Sequence, residues 1–261
     1  MRLNLNSDLG ESFGPWTMGD DEALLSIVGA ANVACGAHAG DPLVMRRTVA
    51  AARERGVDVG AHPGYPDLQG FGRRPMALVG DELAAHLQCQ IGALEAVCRA
   101  AGVALTHVKP HGALNNRAAE DPALARTVAE AVAAVWPALP LLAPAGSALA
   151  SAGREAGLPV ALEVFADRAY RADGALVPRS EPGAVHATTE ACTAQVLAMV
   201  ERGGIVSRDG ELLPTRFHSV CVHGDDPHAV ATARAVREAL ERAGHETVGL
   251  VRALDPDRPA T

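Results

Sequence analysis

Lysine is almost absent from this chain of 261 residues. Of the 23 lysines and arginines, Lys109 is the only lysine. A lysine ammonium is a compact point charge whose pKa can fall on burial, and arginine offers neither property. In this background Lys109 indicates a site that needs an ammonium group. The alternative is a surface lysine with no special role.

Aromatic residues, long apolar runs and basic clusters are also scarce. Aromatic residues make up 3% of the chain, and no apolar run approaches the roughly 20 residues that span a bilayer. The formal net charge is −8 without any basic stripe, which argues against nucleic acid and anionic membranes as partners. Residues 1–16 lack the apolar stretch of a signal peptide. We therefore expect a cytoplasmic protein.

Two nucleotide-binding motifs and paired cysteines are missing as well. Lys109 lies in Val-Lys-Pro-His-Gly, so a P-loop with its Gly-Lys-Ser/Thr does not occur. No G-x-G-x-x-G follows a predicted strand. The five cysteines are scattered without a C-x-x-C, which favours reduced thiols. Cys35 and Cys221 lie on predicted strands beside polar motifs, either as nucleophiles or, the favoured interpretation, as small core residues.

The chain repeats a strand–helix rhythm. Predicted helices open on Asp-Pro pairs, at Asp41, Asp121 and Asp226, because Asp caps a helix and Pro fits its first position. They close on glycines that accept a left-handed conformation, namely Gly56, Gly102, Gly157, Gly203 and Gly244. The predicted strands are Leu3–Asn6, Ala30–Ala34, Val57–Ala61, Val103–Val108, Leu139–Ala143, Val160–Phe165, Ser219–Val222 and Thr247–Val251. Seven or eight parallel βαβ units predict an α/β barrel, with an open doubly wound sheet as the alternative.

Polar side chains follow most of the predicted strands directly. They are Asp8 and Glu11; His38 and Asp41; His62; Lys109, His111 and Asn115; Glu163, Asp167 and Arg168; and His223 and Asp225. In a parallel barrel all strand carboxyl ends lie on one face, so these side chains are expected in one pocket. Six of the eight aromatic residues fall in the same loops, which is typical of a small-molecule site. Taken singly, each has a structural alternative: a hydrogen-bonded histidine, a helix cap or a solvated arginine pair.

Two chemistries fit such a pocket. Asp8 or Glu11 with His38 and His62 could hold a divalent metal, since carboxylate and imidazole suit Zn²⁺ or Mn²⁺. Without a metal, a carboxylate would act as general base on water while Lys109 or a histidine stabilises the developing oxyanion. The residues alone leave both open.

The motifs together resemble the LamB/YcsF family. The matching strings are Asp8-Leu9-Gly10-Glu11, Ala31-Asn32-Val33-Ala34-Cys35-Gly36, His38-Ala39-Gly40-Asp41-Pro42, Gly60-Ala61-His62-Pro63-Gly64-Tyr65, Gly70-Phe71-Gly72-Arg73-Arg74, Val108-Lys109-Pro110-His111-Gly112-Ala113-Leu114, Phe165-Ala166-Asp167-Arg168 and Cys221-Val222-His223-Gly224-Asp225. They run in order through most of the chain. Two positions depart from the family: Ala37 replaces a bulky aromatic residue and Asn115 a tyrosine.

The resemblance implies a distorted TIM-like (β/α) barrel of about seven parallel strands, similar to the glycoside hydrolase and deacetylase fold. We expect it to occupy residues 1–254, with a flexible tail at 255–261. The resemblance also implies opening of 5-oxo-L-proline to L-glutamate with ATP cleavage, together with two partner subunits. The ATP would be used by the complex and not by a P-loop of this chain.

Specific roles follow for the motif residues. We predict catalytic roles for Asp8, Glu11, Lys109, His111, Asp167 and His223. We predict substrate-binding roles for Asn32, Tyr65, Arg73, Arg74, Glu163, Arg168 and Asp225, and a divalent metal, if present, on Asp8, His38 and His62. The alternatives are a stand-alone metal-dependent amidohydrolase or deacetylase of carbohydrate-like substrates, and a non-catalytic subunit that binds 5-oxoproline.

Overall fold

The computed structural model describes residues 1–225 and 227–255. Its strands are β1 (Arg2–Leu9), β2 (Ala30–Ala34), β3 (Asp58–His62), β4 (Leu105–Val108), β5 (Leu141–Pro144), β6 (Val160–Phe165), β7 (Gly204–Val206), β8 (Leu212–Pro214), β9 (Ser219–Cys221) and β10 (Glu246–Val248). Its helices are α1 (Asp21–Leu25), α2 (Pro42–Glu54), α3 (Gly80–Ala100), α4 (Gly112–Glu120), α5 (Pro122–Ala133), α6 (Ala148–Glu155), α7 (Thr189–Arg202), α8 (Ala229–Arg242) and α9 (Leu250–Leu254).

Seven parallel strands close into a barrel. The order is β1, β2, β3, β4, β5, β6 and β9, and β9 pairs back with β1. The predicted TIM-like barrel is therefore confirmed, and the doubly wound alternative is wrong. β10 adds a parallel pairing at the start of β1, while β7 and β8 form a small antiparallel hairpin that the sequence pattern did not predict.

The strand register places polar residues at one level inside the barrel. Asp8 pairs with Asn32, Asn32 with Gly60, and Gly60 with His107. Gly60 is needed there because an added Cβ would collide with the ring of His107. The absence of a side chain on β3 thus makes room for an imidazole from β4.

The predicted helix signals mostly act as expected. Asp41 and Asp121 cap α2 and α5 through their side chains, and Gly203 ends α7 in the left-handed region at φ 71°. The Asp-Pro pair at Asp226 was expected to open α8, but that helix begins at Ala229 with His228 in the N-cap position. Asp226 lies outside the described residues, as does the predicted tail from residue 256 onward. Within the described chain, no helix combines the length and apolar character that crossing a bilayer requires.

Candidate active site

A cavity of about 920 Å³ opens at the carboxyl ends of the barrel strands. Among the predicted site residues, its walls include Asp8, His62, Arg73, Lys109, His111, Arg168 and His223. These residues come from loops that are far apart in the sequence, and the barrel brings them to one face. The size is suited to a small-molecule ligand.

Lys109 lies at the bottom of this cavity and is 2% exposed. Its Nζ lies 2.8 Å from Oδ1 of Asp8 and 3.0 Å from Oε1 of Glu163. It also donates to Oδ1 of Asn6 at 3.3 Å and contacts Sγ of Cys221 at 3.1 Å. Lys109 is therefore buried in a network of polar groups and is not a surface lysine.

The charges around Lys109 keep it protonated. Burial by itself lowers the pKa of Lys109, but the carboxylates of Asp8 and Glu163 raise it well above its usual value. Burial likewise raises the pKa of Asp8, yet His62 and Lys109 more than offset this and hold it well below the usual range. For Glu163 burial prevails and the pKa is raised. The raised pKa means that Lys109 carries a positive charge at neutral pH.

Two asparagine side chains donate hydrogen bonds to the carboxylates of Asp8 and Glu163, and an imidazole in turn donates to one of these asparagines. Asn32 Nδ2 donates to Asp8 Oδ1 at 2.8 Å, and Asn6 Nδ2 donates to Glu163 Oε1 at 2.8 Å. His107 Nε2 lies 2.7 Å from Asn32 Oδ1, to which it donates. We call Asp8, Lys109 and Glu163, with Asn6, Asn32 and His107, the lysine network.

Asn6 and His107 were not singled out from the sequence. The available signal was strand alternation, because residues two apart on a strand point to the same side. Asn6 precedes Asp8 by two residues on β1, and His107 precedes Lys109 by two residues at β4. Polar residues at that spacing on otherwise apolar strands indicate a polar barrel interior.

His223 and Asp167 form a second polar unit at the cavity. Nδ1 of His223 lies 2.7 and 2.9 Å from the two carboxylate oxygens of Asp167 and donates to them. Burial raises the pKa of Asp167, but the charge and hydrogen bond of His223 outweigh it and the pKa is lowered. The carboxylate fixes the ring orientation, which leaves Nε2 for proton transfer. Phe165 stacks on His223, with ring centroids 5.5 Å apart, and also lies 5.5 Å from Nζ of Lys109.

Glu11, His38, His62 and His111 form a buried group that we call the imidazole cluster. One ligand atom of each lies within 4.8 Å of the others. Nε2 of His62 and Nδ1 of His111 are 3.0 Å apart, and Oε1 of Glu11 is 3.5 Å from both Nδ1 of His111 and Nε2 of His38. The arrangement is suited to a cation such as Zn²⁺. Asp8 contacts the cluster through Oδ2, 3.4 Å from Nε2 of His62.

The residues predicted to bind substrate fall into two sets. Arg73 and Arg168 line the cavity; Arg73 pairs with Asp225 at 2.6 Å, and Arg168 donates to the carbonyl of Val177 at 2.6 Å. The others do not line it. Asn32 and Glu163 belong to the lysine network; Tyr65 is fully buried and accepts from Arg117; Arg74 pairs with Asp67.

Three arginines of the cavity wall were not predicted. They are Arg117, Arg171 and Arg179, which join Arg73 and Arg168 around the ligand space. Arginine matches carboxylate and phosphate geometry, so these side chains are suited to an anionic ligand. Arg171 also pairs with Glu120 and Asp173 on the same wall. No motif identifies these three, since they become neighbours only in the folded barrel.

The cysteines are all free thiols. Burial raises the pKa of Cys35 to about 12, and burial also raises the pKa of Cys221 well above its usual value. Neither forms a thiolate readily, which agrees with a core role.

Comparison with known proteins identifies the family. The model of the LamB/YcsF family matches residues 3–254. The A subunit of a 5-oxoprolinase from Azoarcus sp. (strain BH72) is 56% identical over 250 residues, covering 96% of this chain and 98% of that protein. Its counterpart from Methylococcus capsulatus (strain ATCC 33009 / NCIMB 11132 / Bath) is 54% identical over 242 residues and 93% of each chain.

A solved structure is similar throughout. The crystal structure of a lactam utilization protein from Thermus thermophilus superposes with a TM-score of 0.90 at 46% identity, covering 95% of this chain and all of the other. The chain therefore belongs to the LamB/YcsF family.

Proposed function

We propose that this LamB/YcsF family member is the hydrolytic subunit of an ATP-dependent 5-oxoprolinase that opens 5-oxo-L-proline to L-glutamate. The similarity to proteins named as 5-oxoprolinase subunits supports the substrate. The observation that carries the proposal is the buried ammonium of Lys109 beside the His223–Asp167 pair at one cavity.

The chemistry of the lactam explains why these groups are needed. A lactam carbonyl is a poor electrophile, and ATP would supply a phosphoryl group that activates its oxygen. In our proposal Nε2 of His223 removes a proton from water as the water oxygen bonds to the ring carbon. The ring C–N bond then breaks, the nitrogen takes the proton back from His223, and the added hydroxyl loses its remaining proton as the carbonyl of the acyl phosphate forms. Hydrolysis of the resulting acyl phosphate yields L-glutamate and phosphate.

The remaining groups bind and stabilise charge in this scheme. The ammonium of Lys109 lowers the energy of the negative charge that develops on the carbonyl or phosphoryl oxygens. Asp8 and Glu163 hold the ammonium in place, since both contact its Nζ. Arginines of the wall, including Arg73 and Arg168, bind the substrate carboxylate and the phosphoryl group.

Partner subunits belong to the same proposal. The names of the relatives designate one subunit of a larger enzyme, and the sequence lacks a P-loop, so we propose that two partner subunits take part in activating the substrate with ATP. A cytoplasmic location is part of the proposal and agrees with the free thiols.

The test is reconstitution. Purified chain, alone and mixed with the two candidate partner subunits, is given 5-oxo-L-proline and ATP, and glutamate and phosphate are measured. We expect equal amounts of both products from the mixture and little or none from the chain alone. Full activity without partners, or none with them, would contradict the proposal.

A second assay separates hydrolysis from simple binding. If the mixture is active, an Asp167→Asn variant should bind 5-oxoproline normally but lose about 10⁴-fold in turnover, because the amide favours the wrong tautomer of His223. Unchanged turnover would favour a non-catalytic, substrate-binding subunit.

A further inference from the structure

In the imidazole cluster, lone pairs of ring nitrogens lie close together, and a bound cation would remove their repulsion. Nδ1 of His62 lies 2.7 Å from the carbonyl oxygen of Lys109, and Nε2 of His111 lies 2.8 Å from the carbonyl oxygen of Phe71. A carbonyl oxygen only accepts, so each of these nitrogens carries the ring proton. In neutral rings the other nitrogens, Nε2 of His62 and Nδ1 of His111, carry no proton, and an added proton would charge one of the two rings.

Those two unprotonated nitrogens face each other at 3.0 Å. Two lone pairs at that distance repel unless a positive group lies between or beside them. The surroundings add further acceptors: Oε1 of Glu11 is buried, 3.5 Å from Nδ1 of His111, and has no hydrogen-bond donor among the described residues. Both ring nitrogens of His38 are also buried, and neither has a hydrogen-bond partner among the described residues. Its Nε2 lies 3.5 Å from the same glutamate oxygen.

We propose that Glu11, His62 and His111 bind a divalent transition metal ion at the cavity wall, while His38 stacks on the ring of His111. Imidazole nitrogens and one carboxylate oxygen form a donor set that Zn²⁺ prefers. The carbonyl oxygens of Lys109 and Phe71 then fix the tautomers that point the unprotonated nitrogens at the ion, as outer contacts of metal-binding histidines do.

The proposed set differs from the one predicted from the sequence. Asp8 was expected as a ligand with His38 and His62, but its Oδ1 is engaged by Lys109 and by Asn32. Only Oδ2 of Asp8 approaches the cluster. Asp8 is not among the four side chains whose ligand atoms all lie within 4.8 Å of one another, whereas Glu11 and His111 are.

Metal binding can be measured without any substrate, so its outcome is separate from that of the proposed reaction. The protein is purified, stripped with a chelator, exchanged into metal-free buffer, loaded with Zn²⁺ and desalted. We expect one ion per chain by elemental analysis. At a Zn²⁺ concentration about 100 times the dissociation constant, we expect Tm to rise by about 5–10 °C.

Two variants locate the ion. His111→Gln removes a proposed ligand, and we expect zinc affinity to fall by more than about 100-fold. His86→Gln is the matched control, because His86 lies on α3 outside the cluster, and it should bind like the wild type. The metal-free His111→Gln protein should melt no lower than the metal-free wild type, because the facing lone pairs are gone.

The competing occupant is a proton shared by His62 and His111. In that case neither the wild type nor His86→Gln would retain zinc after desalting, and ¹⁵N NMR would show one doubly protonated ring at neutral pH. Either result would overturn the metal proposal, as would equal zinc affinity in His111→Gln and His86→Gln.

Discussion

The lysine network and the imidazole cluster lie side by side in one barrel and solve burial of polar groups in opposite ways. In the lysine network unlike charges touch: the ammonium of Lys109 contacts carboxylate oxygens of Asp8 and Glu163 within 3.0 Å. In the imidazole cluster Nε2 of His62 and Nδ1 of His111 lie 3.0 Å apart, with Glu11 as the neighbouring carboxyl group. In the lysine network one ammonium lies between two carboxylates, and Oε2 of Glu163 has no hydrogen-bond partner among the described residues. In our proposal the imidazole cluster is completed by a bound cation.

The difference shows how each region serves function. A buried ion pair with hydrogen-bonded partners is rigid, and its charge is available to a ligand without rearrangement. A group of unpartnered acceptors stores an unfavourable interaction that a bound cation relieves. Asp8 connects the two, since it contacts both Lys109 and His62.

The largest effect should come from removing the charge at the centre of the lysine network. Lys109→Met keeps most of the stem but leaves Asp8 and Glu163 buried without their cation, so we expect about 3–5 kcal/mol lower stability in urea unfolding. Zinc binding should persist, because the backbone carbonyl that holds His62 is unchanged. A stability loss below about 1 kcal/mol would show that the network is not an ion pair.

A smaller effect concerns pH. Burial, aided by Lys109 and His62, lowers the pKa of His107 to about 3. Since the unfolded histidine protonates near 6.5 and the folded one near 3, the unfolded state binds more protons in this window and stability falls as the pH drops. The contribution lost between about pH 7 and about pH 4.5 is about 3 kcal/mol.

His107→Gln tests this because it keeps a donor for Asn32 and removes the titrating ring. The difference in unfolding free energy between about pH 7 and about pH 4.5 should shrink by most of that amount. If wild type and variant lose stability in parallel, His107 is not the group responsible.

The smallest effect is expected at Cys221, which touches Lys109 but carries no charge. Cys221→Ser keeps an acceptor next to the ammonium, so we expect a stability change within about 1 kcal/mol and near-normal turnover in the reconstituted enzyme. A large drop in kcat with an unchanged melt would instead assign a chemical role to the thiol.

The barrel is predictable from the sequence because its signals are local. Helix caps such as Asp41 and Asp121, left-handed glycines and short apolar strands each act over a few residues. The cavity position follows from topology, since strand carboxyl ends of a barrel share one face.

Pairings inside the site are less predictable. Asp8 was expected beside a metal, and no local signal indicates that its Oδ1 is engaged by Lys109 and Asn32, because that depends on strand register and ring orientation. The lone lysine was identified from composition, but its raised pKa depends on carboxylates from β1 and β6. The arginines of α4 and of the loop at residues 171–179 carry no local signature at all.

The most direct test of the role of Lys109 is the turnover of Lys109→Arg in the reconstituted complex, with zinc content measured on the same sample. Arginine keeps the positive charge but spreads it over a larger group that the closed pocket cannot seat in the same place. We predict a loss of about 10²–10³ in kcat, comparable to losing one oxyanion donor, with the thermal melt still cooperative and zinc content unchanged. Near-normal turnover would contradict the claim that the ammonium of Lys109 acts on the reacting oxygens.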